Sequence, residues 1–212
     1  MDILLPKKTK FRETIILDNL QFLSDKLFCE FGVARGTSIL DFHQLYKKYQ
    51  LDTDFYGFDS FEGLPEEPID KYSPWRTGQF STDGVVEEAL LNNKDIKIVK
   101  GWYSDTLNGD LLEAFGDKKI GIAHIDCDIY SSTVEVLEFL IQNDLLCDGS
   151  LLIYDDWGAY LSSSGAVDEY GVAEGRAHKE IITKYNLNMS MVYREIIDPT
   201  FYVMSVFRYN KK

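Results

Sequence analysis

The chain has 212 residues and a formal net charge of −13, and 45% of its residues are hydrophobic. This length accommodates one α/β domain with a full core but not two large domains. The acidic balance argues against nucleic acid or anionic lipid as a partner, because no basic surface would attract phosphates. The apolar runs are no longer than strands, so we predict no membrane-spanning segment. The first residues lack the pattern of a secretory signal, and we expect a cytoplasmic protein.

Helical and strand-like apolar spacings alternate along the chain and predict its elements. The predicted helices cover residues 11–26, 37–49, 84–93, 106–115, 130–143 and 168–185. The predicted strands cover residues 27–33, 54–60, 95–101, 120–126, 149–155, 188–194 and 201–209. The first five strands alternate with helices, which predicts right-handed parallel crossovers, and the last two form a closing antiparallel hairpin. The predicted fold class is α/β: one domain over residues 1–212, with a helical segment at 1–26 and helices on both faces of a seven-stranded, mostly parallel sheet that has one reversed strand at or near its edge.

The three cysteines, Cys29, Cys127 and Cys147, lie in or beside predicted strands and form no CxxC motif. An odd count without paired spacing is typical of reduced thiols. We interpret them as small core residues rather than catalytic nucleophiles.

Acidic residues end two neighbouring predicted strands, IGIAHIDCD (120–128) and GSLLIYDDW (149–157). Ligands bind at the carboxyl ends of parallel strands, so Asp126, Asp155 and Asp156 should converge on one rim. Three close carboxylates repel one another unless a cation lies between them or a proton is retained. A hard divalent ion with oxygen ligands, Mg²⁺ first, is the simplest explanation.

The turn after the first strand reads EFGVARGTS (30–38). Gly32 and Gly36 permit close backbone approach, and Thr37 or Ser38 can cap the following helix. The turn lacks the GxGxxG of dinucleotide sites and suits a ligand without pyrophosphate. Glu30 agrees, because a carboxylate there could meet an ammonium group but would repel a phosphate.

The next two strand ends complete a cofactor hypothesis. Asp59 ends the second strand, where an acidic residue accepts hydrogen bonds from ribose hydroxyls. Trp102 follows the third strand and could stack on a base. Taken singly, Asp59 reads as a solvated loop acid and Trp102 as a packing residue. Adenine, ribose and an amino-acid tail at three successive strand ends together describe S-adenosylmethionine.

These segments resemble the macrocin O-methyltransferase family, whose members methylate sugar hydroxyls of natural products. The matching stretches are CEFGVARGTS (29–38), GFDSFEGLPEE (57–67), GQFS…V (78–85), KGWYSDTL (100–107), HIDCDIYSSTVEVLEFL (124–140) and GSLLIYDDWG (149–158). They cover most of residues 27–158, and their combination and order are far more specific than any one alone. The resemblance implies a Rossmann-like class I methyltransferase fold, S-adenosylmethionine as methyl donor and Mg²⁺ as activator.

Carried onto this sequence, the resemblance puts Glu30, Gly32 and Ser38 around the methionine tail. It puts Asp59 on the ribose and Trp102 beside the adenine. The expected cofactor-binding residues are Glu30, Gly32, Arg35, Thr37, Ser38, Asp59, Ser60, Gly101, Trp102 and Asp126. The expected metal ligands are Asp126, Asp155 and Asp156, the trio grouped above.

The expected reaction is Mg²⁺-dependent methyl transfer to a vicinal diol of a small molecule, a sugar hydroxyl first. Two alternatives stay open: a catechol or caffeoyl-type phenolic methyltransferase, and a non-catalytic S-adenosylmethionine-binding domain. The chain departs from sugar-modifying members by carrying only about one helix before the first strand. The resemblance therefore specifies the type of reaction more closely than it specifies the methyl acceptor.

A base must take the proton of the acceptor hydroxyl, and the candidates are Asp126, Asp128 and His124. Strand alternation puts all three on one side of the sheet. For Asp128 we favour the alternative of an N-cap on the helix that opens at Tyr130. His178, a lone histidine on a later helix, reads as a surface residue.

The segment 61–80 is rich in glycine, proline and aromatic residues and is predicted to be a substrate lid. Its aromatic residues are Phe61, Tyr72, Trp75 and Phe80. They suit a sugar face or a phenol ring equally. For Trp75 the alternative is a contact in a homo-oligomer, a state that the sequence leaves open.

Overall fold

The computed structural model describes residues 5–68, 75–157, 169–198 and 202–211. Its strands are β1 (Leu27–Phe31), β2 (Asp54–Asp59), β3 (Ile96–Lys100), β4 (Ile120–Ile125), β5 (Leu146–Tyr154), β6 (Met189–Asp198) and β7 (Tyr202–Tyr209). They form one sheet in the order β3-β2-β1-β4-β5-β7-β6. The first five strands pair in parallel, whereas β7 is antiparallel to both of its neighbours and lies one place from the edge. The predicted sheet is confirmed.

The helices follow the predicted order but differ in extent. They are α1 (Leu5–Asp18), α2 (Leu20–Leu23), α3 (Thr37–Lys48), α4 (Glu88–Leu91), α5 (Tyr103–Thr106), α6 (Gly109–Phe115), α7 (Tyr130–Gln142) and α8 (Ala173–Tyr185), with a short 3₁₀ turn at Glu169–Gly171. The predicted helix 11–26 is two helices and starts earlier, and the predicted helix 84–93 is a single turn. The helix predicted at 106–115 starts at Gly109, because the Asn108 side chain accepts hydrogen bonds from the amides of Asp110 and Leu111 and caps α6 there.

Two apolar layers sandwich the sheet, and alternate residues of β1 enter opposite layers. Phe28 packs with Ile15 and Phe42, in the layer formed by α1 and α3. Phe31 packs in the other layer with Leu137 of α7, and α8 completes that layer. All five residues of β1 are buried, as expected for a central parallel strand. Outside the two apolar layers, polar side chains gather at the rim of the sheet, at the carboxyl ends of β1 to β5. Within the described part of the chain, no helix is both long and apolar enough to cross a membrane.

Candidate active site

A cavity of about 760 Å³ lies at the carboxyl ends of the parallel strands. Its walls come from the loops after β1 to β5, from α1 and from the segment 61–80. The lining residues are Leu5, Lys8, Arg12, Gly32, Val33, Ala34, Arg35, Thr37, Ser38, Asp59, Ser60, Gly63, Leu64, Pro65, Trp75, Gln79, Phe80, Ser81, Gly101, Trp102, Tyr103, Ser104, Asp126, Cys127, Asp128, Ser132, Glu135, Asp155 and Asp156. This size suits a drug-sized ligand, and the position is the expected one for an α/β fold.

The loop after β1 is held in place by its two neighbouring loops. Gly32 has φ +95°, and a Cβ atom there would lie 1.8 Å from the carbonyl oxygen of Asp126. Asp59 Oδ2 accepts hydrogen bonds from the amides of Val33 and Ala34, at 2.8 and 2.7 Å. Only glycine allows this approach, and the Asp59 carboxylate fixes the loop in the cavity wall.

Nine of the ten residues expected to bind the cofactor line the same cavity. They are Gly32, Arg35, Thr37, Ser38, Asp59, Ser60, Gly101, Trp102 and Asp126. Glu30 is the exception, since it is fully buried behind the wall and its Oε1 accepts a hydrogen bond from Ser38 Oγ at 2.8 Å. The expected side-chain cap by Thr37 or Ser38 is wrong, because α3 begins after Gly36 without one. Glu30 does not line the cavity itself and touches its wall through Ser38.

The carboxylates of the rim form two groups that share Asp126, and neither group contains both Asp155 and Asp156. One group joins Asp126 to His124 and Asp155, and the other joins it to Asp128 and Asp156. Within each group the possible ligand atoms lie within 4.8 Å of one another. Burial and the charge of Asp155 raise the pKa of Asp126 well above its usual range. Such crowding of buried like charges favours a cation or a retained proton.

Asp155 is the carboxylate whose charge is compensated within the chain. Its oxygens lie 3.0 Å from Lys8 Nζ, 3.5 Å from Arg12 and 3.3 Å from His124 Nε2. Burial alone would raise the pKa of Asp155, but the His124 hydrogen bond and the nearby cations hold it well below its usual range. Asp155 is therefore an anion that also anchors α1 to the sheet.

Asp156 has the opposite environment. Burial and the charge of Asp155 raise its pKa to about 7. Its Oδ1 atom is buried and has no hydrogen-bond partner among the described residues. An orphaned carboxylate oxygen in an all-oxygen donor set fits a hard divalent cation, so the residues present are compatible with Mg²⁺.

Asp128 is not the N-cap of α7, so our preferred interpretation of this residue is wrong. The N-cap is Ile129, which forms no side-chain cap, and the amide of Ser131 donates to Glu67 Oε2 at 2.8 Å. The Asp128 side chain instead forms a hydrogen bond with Asp156, and burial with that neighbour raises the pKa of Asp128. Asp128 has φ +63°, a backbone conformation that Asp tolerates better than most residues. The chain turns sharply there, which keeps the carboxylate in the cavity.

His124 is buried behind the cavity wall, and both of its ring nitrogens face carboxylates of the chain rather than the space for the methyl acceptor. Its Nδ1 lies 2.9 Å from Glu30 Oε2 and its Nε2 lies 3.3 Å from Asp155 Oδ1. Burial would lower the pKa of His124, but hydrogen bonds with Asp155 and Glu30 outweigh it and raise the pKa to about 9. The ring is thus an imidazolium that bridges two carboxylates, which is a positioning role.

His178 is a core residue, and its predicted surface position is wrong. It is 3% exposed, and its Nδ1 forms a 2.8 Å hydrogen bond with the Tyr154 hydroxyl. Its ring packs against Trp157 and Phe207. Burial lowers the pKa of His178 to about 3. It does not line the cavity.

Trp75 lines the cavity. Its ring lies 5.1 Å from that of Phe80 and packs against Ala173 of α8. Both aromatic residues line the cavity on the side of the segment 61–80. Of the other two aromatic residues of the segment, Phe61 is buried in the apolar layer of α1 and α3, and Tyr72 lies outside the described residues.

Sequence reasoning missed Lys8, Arg12 and Glu174. Lys8 and Arg12 are spaced i, i+4 on α1, a pattern that could have placed them on one helical face. Glu174 is fully buried, and its carboxylate accepts from the amides of Cys127 and Asp156, both at 3.3 Å. Glu174 thereby joins the loop after β4 to the loop after β5. Nothing in its local sequence distinguishes Glu174 from a surface residue.

Comparisons with known proteins identify the family. The sequence model of macrocin O-methyltransferase (TylF) matches residues 13–185. A search of curated proteins finds no sequence match. The structure superposes on the O-methyltransferase NovP with a TM-score of 0.71, at 18% identity over 97% of this chain and 80% of NovP. It superposes on the calicheamicin methyltransferase CalS11 with a TM-score of 0.69, at 18% identity over 95% of this chain and 78% of CalS11.

A third structure, an O-methyltransferase from Bacillus cereus in complex with S-adenosylhomocysteine (SAH), has a TM-score of 0.55 at 12% identity, over 97% of this chain and 81% of that one. At these identities the structures confirm the Rossmann-like class I methyltransferase fold. The family match spans most of the chain and confirms the resemblance seen in the sequence. This chain belongs to the macrocin O-methyltransferase family and is an S-adenosylmethionine-dependent O-methyltransferase.

Proposed function

We propose that this enzyme methylates one hydroxyl of a vicinal diol on a small, uncharged sugar-containing acceptor, with the help of Mg²⁺. The observation that carries the proposal is the shared cavity: the cofactor loop after β1 and the carboxylates after β4 and β5 line one space. The orphaned Oδ1 of Asp156 gives that space an acceptor atom without a protein partner in the described part of the chain.

The donor half binds and orients S-adenosylmethionine. Ser38 and the backbone at Gly32 would hold the methionine tail, Asp59 would hold the ribose, and Trp102 would hold the adenine. Glu30 contributes indirectly, because it accepts the hydrogen bond of Ser38 and so fixes that hydroxyl. Methyl transfer from a sulfonium is an in-line displacement, so positioning is the main work of these residues.

The acceptor half rests on Asp126, Asp155 and Asp156, which would hold the metal. A Mg²⁺ ion held there would supply Lewis acidity, which would make an acceptor hydroxyl easier to deprotonate. In the reaction, the bond between sulfur and the methyl carbon breaks as the bond to the acceptor oxygen forms. The hydroxyl proton passes to a carboxylate, and we assign that role to Asp126, with Asp128 as the alternative.

The charges around the cavity support an acceptor without phosphate groups. The basic side chains that line its described walls are Lys8, Arg12 and Arg35, and each forms an ion pair within the chain. The acidic lining residues are Asp59, Asp126, Asp128, Glu135, Asp155 and Asp156. CalS11 is described as a TDP-rhamnose 3'-O-methyltransferase, which supports a sugar acceptor. The acidic walls disfavour a nucleoside diphosphate on that sugar.

A methyl-transfer assay with S-adenosylmethionine and a panel of acceptors tests the proposal. The panel pairs vicinal-diol glycosides and catechols with their mono-hydroxylated analogues, each assayed with Mg²⁺ and with excess chelator. We expect turnover of diol glycosides that chelator abolishes. Efficient methylation of an isolated hydroxyl in chelator would contradict the diol and metal assignments, and a preference for catechols would favour the phenolic alternative.

The cofactor assignment has its own test in SAH binding by titration calorimetry. Asp59→Ala should weaken binding about tenfold, because the ribose loses an acceptor and the loop loses its two amide contacts. Asp117→Ala removes an exposed acidic side chain elsewhere on the surface and serves as the control. Equal affinities of the two variants would contradict the role of Asp59.

A further inference from the structure

Helix α1 brings a cation of the chain itself into the carboxylate cluster. Lys8 Nζ lies 3.0 Å from Asp155 Oδ2, and the Lys8 side chain is only 13% exposed. Lys10, two residues along the same helix, is exposed. The position of Lys8 on α1 therefore directs its ammonium group at the carboxylate cluster. Lys10, in contrast, is a solvated charge of the same helix.

The rest of α1 also has contacts that do not involve Lys8. Arg12, one turn further on, is 1% exposed; it pairs with Asp41 of α3 at 3.0 Å and also lies 3.5 Å from Asp155. Thr9 Oγ1 donates to the other carboxylate oxygen of Asp41 at 3.0 Å. Ile15 and Ile16 are fully buried in the apolar layer. The Lys8 contact can therefore change while the body of the helix stays docked.

We propose that Lys8 is a tethered cation that competes with the divalent metal for Asp155. This inference rests on the proposed metal site. An ammonium group and a divalent ion beside the same buried carboxylate repel each other strongly, because few solvent dipoles separate them. Loading of the metal therefore displaces Lys8, and docking of Lys8 weakens the binding of the metal.

The competition links metal loading to the shape of the acceptor side of the cavity. Leu5 and Lys8 both line the cavity near the beginning of α1. When Lys8 leaves Asp155, the first turn of α1 loses the ion pair that holds it against the cluster. By reciprocity, an acceptor that favours the released position of this turn also favours metal binding.

Direct titration with Mn²⁺, followed by electron paramagnetic resonance, tests the competition without any assay of turnover. Lys8→Met should bind Mn²⁺ at least about fivefold more tightly than the wild type, the lower end of typical coupling between two sites. Lys10→Met removes the same charge from the same helix, away from the cluster, and should bind like the wild type. Equal or weaker binding by Lys8→Met would overturn the inference.

If neither the wild type nor any variant binds Mn²⁺, both the inference and the metal half of the proposed function fail. Binding of SAH then decides separately whether the cofactor assignment survives. This arrangement distinguishes failure of the competition alone, where Mn²⁺ binds equally to all three proteins, from failure of the metal site.

Lysine labelling of the wild type adds a measurement that needs no variant to fold. Reductive methylation followed by peptide mass spectrometry reports the reactivity of individual lysines. Lys8 should be protected in chelator and several-fold more reactive in saturating Mg²⁺, whereas the reactivity of Lys10 should not change. Labelling of Lys8 that is insensitive to Mg²⁺ would overturn the proposed displacement.

Discussion

His124 and Asp155 meet at the carboxyl ends of neighbouring parallel strands, with His124 Nε2 3.3 Å from Asp155 Oδ1. The other ring nitrogen lies 2.9 Å from Glu30 Oε2. Glu30 in turn accepts a hydrogen bond from Ser38, which lines the cofactor side of the cavity. One buried chain of hydrogen bonds therefore connects the cofactor loop to the acidic cluster, and His124 is its central cation.

This arrangement predicts a specific loss of stability at alkaline pH. The pKa of His124 is raised from 6.5 to about 9 in the folded state. The protonated His124 contributes fully to the free energy of unfolding below pH 6.5. This contribution, roughly 3 kcal/mol, is lost as the pH rises through 9. Between pH 6.5 and 9, the free energy of unfolding of the wild type should fall by about this amount more than that of His124→Asn.

Chemical denaturation at the two pH values measures the difference. His178→Asn is the matched control, because the pKa of His178 is lowered to about 3 and it stays neutral over this range. Relative to the wild type, that variant should lose the same free energy of unfolding at both pH values. A wild-type pH dependence that persists unchanged in His124→Asn would contradict the charged state of His124.

The two adjacent aspartates after β5 should respond oppositely to the same substitution. Asp155→Asn leaves Lys8, Arg12 and His124 without their shared anion. In chelator at pH 8 its melting temperature should fall on the order of 10 °C, as for a broken buried ion pair. Asp156→Asn should not lower it, because this carboxylate has its pKa raised to about 7 and is costly to keep ionised.

The sign for Asp156 follows from the direction of its pKa shift. A carboxyl with a raised pKa weakens the fold increasingly as the pH rises from 3.8 through about 7. The advantage of Asp156→Asn should therefore be complete at pH 8 and vanish near pH 4. Differential scanning calorimetry at both values is sufficient. Similar losses in the two variants at pH 8 would contradict the separate environments.

The sheet and the convergence of Asp126, Asp155 and Asp156 could be predicted because they follow from local patterns. Short apolar runs that end in glycine or aspartate mark buried parallel strands, and parallel strands bring their carboxyl ends to one rim. Nine of the ten residues expected to bind the cofactor line the same cavity, because they lie at or just after the carboxyl ends of parallel strands. The alternation of strands and helices along the chain and the alternation of side chains along each strand required no knowledge of distant contacts.

The unpredicted features depend on contacts between distant segments. The first turns of α1 carry few apolar residues and are held by ion pairs of Lys8 and Arg12 with residues far along the chain. His178 is buried because α8 packs on α7 and the sheet. Asp128 turns away from the helix because its backbone is left-handed. The i, i+4 spacing of Lys8 and Arg12 could have placed them on one face of α1, but the local sequence does not reveal the distant partner of any of these residues.

Gly32 should be intolerant of even the smallest side chain. Its φ of +95° disfavours alanine, and a Cβ atom would collide with the Asp126 carbonyl oxygen at 1.8 Å. Gly32→Ala should lower the free energy of unfolding by more than about 1 kcal/mol and weaken SAH binding more than tenfold, because the cofactor loop must move. Gly109→Ala, at the start of α6 with nothing within 4 Å of the added carbon, should be neutral. Wild-type affinity in Gly32→Ala would show that the loop has another conformation.

We expect Glu67 to hold the segment 61–80 against α7. Its Oε2 accepts a hydrogen bond from the amide of Ser131 at 2.8 Å, in the first turn of α7. A carboxylate at a helix N-terminus is favoured both by the free amides and by the helix dipole. Glu67→Ala should therefore release the segment, and amide hydrogen exchange across residues 61–80 should become several-fold faster.

The release should affect the acceptor and spare the donor. Trp75 and Phe80 line the cavity from this segment, whereas the cofactor loop after β1 is held separately by Asp59. Glu67→Ala should thus raise the KM for the acceptor about tenfold, as expected for a lost charged hydrogen bond, with little change in SAH affinity. Glu66→Ala, an exposed neighbour, is the control for both measurements. Equal exchange rates in the two variants would show that the segment is held by other contacts, and a parallel loss of SAH affinity would show that it covers the donor as well.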